Sequence, residues 1–172
     1  MDFRTTLGTS NKRRLLLLEH LYYRRDGLSS DQLLSLLNCS LPILLNDIDL
    51  INSEKPNVVQ IVKVKGLFRI IMDKSISLGV IYADFLNACP EFQIIEELLY
   101  EECENITALS KKLYLSSSNT QRYLKKIETT LTKAGMQLHY RPLRIEGNEG
   151  EIRNFYYRFY TERQSAFEST LP

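Results

Sequence analysis

The run Ser116-Ser117-Ser118-Asn119-Thr120-Gln121-Arg122-Tyr123-Leu124-Lys125-Lys126 is the part of the chain richest in side chains able to recognise another molecule. Asn and Gln present a donor beside an acceptor, which suits the major-groove edge of adenine, and Arg suits guanine; each good pair gives ~1–3 kcal/mol of discrimination. When the second helix of a helix-turn-helix enters that groove, its first turns meet the base edges and need such short hydrogen-bonding groups. Ser117, Ser118, Asn119, Thr120 and Gln121 fall in those turns. Arg122, Lys125 and Lys126 are placed to meet phosphates or a flanking base, and Tyr123 and Ile127 to anchor the helix in a core. A solvated helix face with ordinary capping serines is the alternative, and base readout is the favoured reading of the helix as a whole.

A second candidate, Leu41 to Asp49, is a poorer reader. Asp47 and Asp49 would repel phosphate, leaving Pro42, Ile43 and Asn46 to approach a groove, with Ile43 suited to a thymine methyl. Lys12, Arg13, Arg14, Lys63 and Lys65 can grip backbone beside it, contacts that position a protein without specifying sequence. Lys111 and Lys112, one helix before the main segment, and Arg141 and Arg144, on a hairpin after it, are further phosphate or minor-groove candidates. Each of these sets would also be ordinary on a solvated surface.

Catalytic chemistry has no comparable set. His20 lies mid-helix and His139 on a strand, and there is no Ser/Cys–His–acid order, HExxH, Walker loop or GxGxxG. Glu96, Glu97, Glu101, Glu102 and Glu104 read as a solvated acidic face. Cys39, Cys89 and Cys103 are odd in number, far apart and set in apolar stretches, so they read as buried thiols rather than as a zinc site or disulfide framework. No enzyme activity, metal or cofactor is expected.

The elements that must hold these residues follow from periodicity. Asn11 is placed to cap a first helix carrying Leu15, Leu18, Leu21 and Tyr22, which Asp26-Gly27 ends. Ser29 or Ser30 then caps a short helix with Leu33, Leu34 and Leu37 inward. Ser40 caps a third, with Pro42 in its first turn and Leu44, Leu45, Ile48 and Ile51 on its buried side. After the turn signal Ser53-Glu54-Lys55-Pro56-Asn57, residues 58–64 and 67–72 alternate as a hairpin about Lys65-Gly66.

The order then recurs. Phe92, Ile95, Leu98 and Leu99 repeat the first helix, and residues 107–114 form a second. Leu113-Tyr114-Leu115-Ser116 matches Leu37-Asn38-Cys39-Ser40, and Leu124 and Ile127 fall where Ile48 and Ile51 fell. A third helix ends near Ala134-Gly135, and residues 136–140 and 143–145 make a second hairpin about Arg141-Pro142. A divergent internal duplication explains this better than chance. Residues 76–88 read as a connecting helix ended by Pro90. Residues 149–163 form a helix rich in aromatics, whose Arg153, Arg158 and Arg163 more simply belong to a packed surface than to a nucleic-acid patch.

Charge supports two basic modules. The 172-residue chain has a net charge of only +1. Residues 1–75, however, carry 11 Lys/Arg against 8 Asp/Glu, residues 76–105 none against 7, and residues 106–172 carry 11 against 6. An acidic connector thus separates two basic regions. An apolar share of 44% and a charged share of 25% mark a globular chain. No apolar run approaches the ~20 residues of a membrane span, and the first residues lack a signal core, so a cytoplasmic protein without membrane contact is expected.

Over residues 113–127, and again over Leu-Arg-Ile-Glu-Gly-Asn-Glu-Gly-Glu-Ile-Arg-Asn-Phe-Tyr-Tyr-Arg-Phe-Tyr from Leu143 to Tyr160, the sequence resembles the Mga/AtxA/RofA-like transcriptional regulators of Gram-positive bacteria. The second motif is the more specific, and the likeness extends over essentially the whole chain. The resemblance implies a regulator, often of virulence genes, that binds promoter DNA through two N-terminal winged domains. In full-length members, sugar-phosphotransferase regulatory domains and an EIIB-like domain follow, sensing phosphorylation and promoting self-association. Those do not fit in 172 residues, so the chain is expected to be the DNA-binding half, self-associating through regions absent here. The family's recognition helices fall on Leu41 to Asp49 and on Ser117 to Lys126; the acidic first one departs from the pattern.

The expected fold is thus mainly α with small β-hairpins (α+β). A winged helix-turn-helix over 1–74, a connecting helix over 75–90, a second winged helix-turn-helix over 91–147 and a C-terminal helical segment over 148–172 make it up. The expected function is sequence-selective binding of double-stranded promoter DNA for transcription control, in the direction of activation, with helix 116–134 as main reader. A winged-helix protein-interaction module, docking partners through the acidic connector and aromatic helix, is the alternative.

Overall fold

The computed structural model describes residues 6–54 and 56–165. The chain is mainly helical with two small antiparallel sheets. It divides into two compact units, Thr9–Tyr82 and Ala83–Ser165, the latter joined by residues 6–8. Lys55 of the turn signal, the Arg163 side chain and residues 166–172 of the expected C-terminal segment lie outside what is described.

The N-terminal unit begins with α1 (Thr9–Tyr23), which starts two residues before its expected cap, Asn11. Gly27, at φ 92, then turns the chain into β1 (Leu28–Ser29), a two-residue strand not foreseen in the sequence because it is too short to alternate. Ser29 caps α2 (Ser30–Leu37) through a reciprocal pair: its hydroxyl accepts from the Gln32 amide, and the Gln32 side chain accepts from the Ser29 amide. Asn38, in the left-handed region at φ 48, ends α2. After the break, α3 (Leu41–Glu54) leaves at 93° to α2, within the range of helix-turn-helix pairs.

A hairpin follows, β2 (Val59–Val64) and β3 (Leu67–Met72), with Val64 opposite Leu67. Its two-residue turn is Lys65-Gly66, both at positive φ (51 and 82), as tight hairpins require. β1 adds to β3, giving the order β1-β3-β2. Leu17, Leu18, Leu21, Leu33, Leu44, Ile48, Ile51, Ile61 and Phe68 form one buried cluster under this sheet.

α4 (Leu78–Ala88) crosses the division between the units. Pro90 does not simply end it: it opens α5 (Pro90–Tyr100), where a missing N–H costs nothing. α6 (Ile106–Lys112) is capped by Asn105, whose side chain accepts from the Ala108 amide at 3.0 Å. α7 (Ser117–Lys133) is capped by Ser116, which accepts from the Asn119 amide at 3.2 Å. Gly135, at φ 81, ends it and leads into β4 (Gln137–Tyr140) and β5 (Leu143–Glu146). α8 (Glu149–Ser165) closes the described chain. Phe92, Ile95, Leu109, Leu124, Ile127, Leu131, Leu143 and Phe159 are buried here, with the Phe92 and Phe159 rings stacked at 5.3 Å.

In each unit a polar side chain at the same position of the third helix bonds its hairpin. Asn52 donates to the Ile61 carbonyl at 2.9 Å and accepts from its amide at 2.7 Å. Seventy-six residues later in the repeat register, Glu128 accepts from the Tyr140 hydroxyl at 3.0 Å. Burial and that carboxylate push the Tyr140 phenol up to about 12, so it stays a donor at neutral pH.

Candidate nucleic-acid interface

The side chains of α7 divide cleanly around the helix. Thr120, Leu124, Ile127 and Leu131 recur at helical spacing and are buried. The opposite face, Ser118, Arg122, Lys125 and Thr129, is exposed along its length. Ser117, Asn119 and Gln121, beside that face in the first turns, are exposed as well. The Arg122 guanidinium rests over the half-buried Tyr123 ring, 5.8 Å from its centroid, and donates to Asn119 Oδ1 at 3.1 Å. Neither contact neutralises it. Lys125 and Lys111 are exposed and make no ion pair among the described residues, while Lys126 is half-buried. The result is a polar, cationic ridge on a rigid helix whose other side is core.

Four candidates, Thr120, Lys112, Arg13 and Arg14, are engaged within the fold. Thr120, expected to meet a groove, is fully buried. Its hydroxyl donates to the Ser116 carbonyl at 3.0 Å and lies 3.0 Å from the Ser110 hydroxyl, so it fastens α6 to α7. Lys112, expected near phosphate, is ion-paired to Glu97 of α5 and to Glu101, the residue just after it. Its ammonium is pushed up by the Glu101 and then the Glu97 hydrogen bond, so its charge is shared with two acids.

Arg13, expected to grip backbone, instead points its Nε at Asp47 Oδ2 at 2.5 Å, and Arg14 reaches Asp47 Oδ1 at 3.3 Å. Asp47 is itself buried, so it cannot repel a phosphate as expected; Asp49, exposed on α3, is the acid that would.

The remaining candidates lie at the surface. Ile43 is 41% exposed, and Asn46 is exposed beside it on α3. Lys63 and Lys65 are exposed at the end of the first hairpin, Lys63 sitting 5.1 Å above the Phe68 ring. Arg141 is exposed at the turn between β4 and β5. Arg144 is engaged by Glu146 at 3.0 Å, which together with His139 holds that carboxyl below its usual range. The pair is solvent-screened and weak. Tyr114, which no sequence argument singled out, stands beside this ridge in the turn before α7 and is 96% exposed.

Thr120→Val keeps the shape of the buried side chain and removes only its hydroxyl. It should lower stability by about 1 kcal/mol, read by denaturant unfolding. At a temperature where both proteins are folded, binding to any nucleic acid should be unchanged; a loss there would return Thr120 to the reading face.

The model of the Mga helix-turn-helix domain matches residues 74–160, from the end of the first hairpin through most of α8. A protein of Streptococcus pneumoniae serotype 4 named for trans-acting regulation is 26% identical over 161 residues, 93% of this chain and 32% of its own length. The capsule synthesis positive regulators AcpA and AcpB of Bacillus anthracis are 33% identical over 117 residues and 26% over 163. Those alignments cover 67% and 91% of this chain, and 24% and 34% of the two regulators. The chain therefore spans about a quarter to a third of the length of these relatives. With the family's helix-turn-helix domain laid over α4 to α8, as the motifs at 113–127 and 143–160 implied, the chain belongs to the Mga family of regulators.

Proposed function

We propose that this chain binds double-stranded DNA in the control of transcription, in the cytoplasm and without catalysis of its own. Its two units act as tandem winged helix-turn-helix domains, and α7 is the helix that enters the major groove. The observation that carries this reading is the exposed ridge of Ser118, Arg122 and Lys125, flanked by Ser117, Asn119 and Gln121, on a helix whose opposite face is core. It joins the residue types that read base edges to cations that meet phosphate. The β4–β5 hairpin, with Arg141 at its turn, is the wing. The names of AcpA and AcpB favour activation of a virulence-linked gene set.

The N-terminal unit plays the lesser part, since Asn46 and Asp49 stand where Arg122 and Lys125 stand in the repeat register. One observation favours a protein-docking role for that unit: Leu36, Leu41, Ile43 and Leu45 are each more than 40% exposed on α2 and α3.

Titrating the chain against duplexes from the region upstream of its own gene neighbourhood, across a salt series, tests the proposal. DNA binding predicts a log–log slope of about −0.9 for each phosphate neutralised, with a preferred sequence. A flat salt response, or no binding at any salt, would leave only the docking reading.

A further inference from the structure

The turns that precede the third helix in the two units share a backbone and differ in one side chain. Asn38 sits at φ 48 and Tyr114 at φ 55, at matching places in the repeat. Both are in the left-handed region, which asparagine enters readily and a bulky aromatic residue enters at a cost. The conformation itself ends the helix before it, letting the Leu115 amide donate to the Ser110 carbonyl at 2.9 Å as Cys39 does to Leu34 after Asn38, but that turn needs no aromatic side chain. Tyr114 is 96% exposed; its amide closes the turn by donating to the Lys111 carbonyl at 3.3 Å, a bond any residue but proline can make. An exposed ring in strained backbone marks a function rather than a packing need.

Its surroundings say which function. Tyr114 lies two residues before Ser116, the cap of α7, and three after the exposed Lys111. It therefore flanks the end of α7 that carries Ser117, Ser118 and Asn119. With α7 in a groove as proposed above, a side chain there would meet the sugar-phosphate backbone at its lip rather than the bases within it.

We propose that Tyr114 is a positioning residue for DNA: its hydroxyl donates to a backbone phosphate beside the groove that α7 enters, and its ring lies along the adjoining deoxyribose. This rests on the DNA-binding reading above. A neutral hydroxyl displaces no counterion, so the contact adds affinity for every sequence and leaves the salt slope alone, unlike a lysine contact.

The test uses the full chain and the duplex the wild-type protein prefers. Tyr114→Asn, which installs the residue of the first unit, should raise Tm by about 3–6 °C through relief of backbone strain. It should weaken binding about 10-fold, with the salt slope and the order of preference among sequences unchanged. Tyr114→Phe keeps the ring and the strain, and should lose most of the same affinity at unchanged Tm. A gain in Tm alongside a loss of affinity excludes misfolding as the cause. If the wild type binds with a steep salt slope and Tyr114→Asn binds equally well, the proposal for Tyr114 falls and the DNA reading stands. If Tyr114→Phe binds like the wild type, the phosphate contact falls. If the wild type binds no duplex, both readings fall together.

Discussion

Replacing Arg122 and Lys125 together by alanine should weaken binding to the preferred duplex by about 2–3 kcal/mol, or roughly 30- to 150-fold. It should also flatten the log–log salt slope by ~1.8, two phosphates' worth. Both side chains are exposed on the outer face of α7, one turn apart, with Leu124 between them fully buried. Alanine suits a helix interior and removes nothing from the core, so Tm should move by no more than a degree or two. Asn46→Ala, at the position matching Arg122 in the first unit, should cost less than about 3-fold, because its helix offers no cation beside it and carries Asp49. Fluorescence anisotropy across a salt series reads all of these numbers. Equal, small effects from the two substitutions would overturn the ranking of the two units.

Asp47→Ala should have the largest effect on stability. The carboxylate is 1% exposed and holds two guanidinium groups, Arg13 at 2.5 Å and Arg14 at 3.3 Å. Those arginines are only 14% and 18% exposed in their side chains, so losing the acid strands two largely desolvated cations on α1. Removing one partner of a buried pair costs ~3–5 kcal/mol, and the partial exposure of the arginines brings the expectation to about 2–4 kcal/mol. In a unit of this size that lowers the midpoint by about 10–20 °C. Circular dichroism on heating should show a separate, earlier transition. An unshifted midpoint would mean that the pair contributes nothing net to folding.

Much of the architecture was legible because apolar periodicity and caps agree. The third helices, both hairpin turns and the start of α8 follow from Leu124, Ile127, Lys65-Gly66 and the residues after Glu146. What failed was local. Pro90 is a helix breaker in one context and a favoured first residue in another, and only the following Phe92, Ile94 and Ile95 decide between them. Thr120 reads as polar and hence outward, yet the register that pairs Leu124 with Ile48 also sets Thr120 opposite the fully buried Leu44. Following that register would have placed it inside.

The charged side chains were harder. Arg13 and Lys112 are basic residues on helices beside the expected readers, and whether such a group faces solvent or an acid on a neighbouring helix depends on packing between distant segments. Asp47 is 34 residues from Arg13, and Glu101 is 11 from Lys112. Composition cannot see such partnerships; the rotation of each helix about its axis decides them.

The helix-to-hairpin bonds of Asn52 and Glu128 have an evolutionary corollary. Because each joins a third helix to its hairpin, either would, under the DNA-binding proposal, act as a caliper, setting how far apart a groove and the neighbouring strand must lie to be held at once. Altering one half-buried side chain would then retune which duplex shapes are accepted, while the exposed groups of α7 stay as they were.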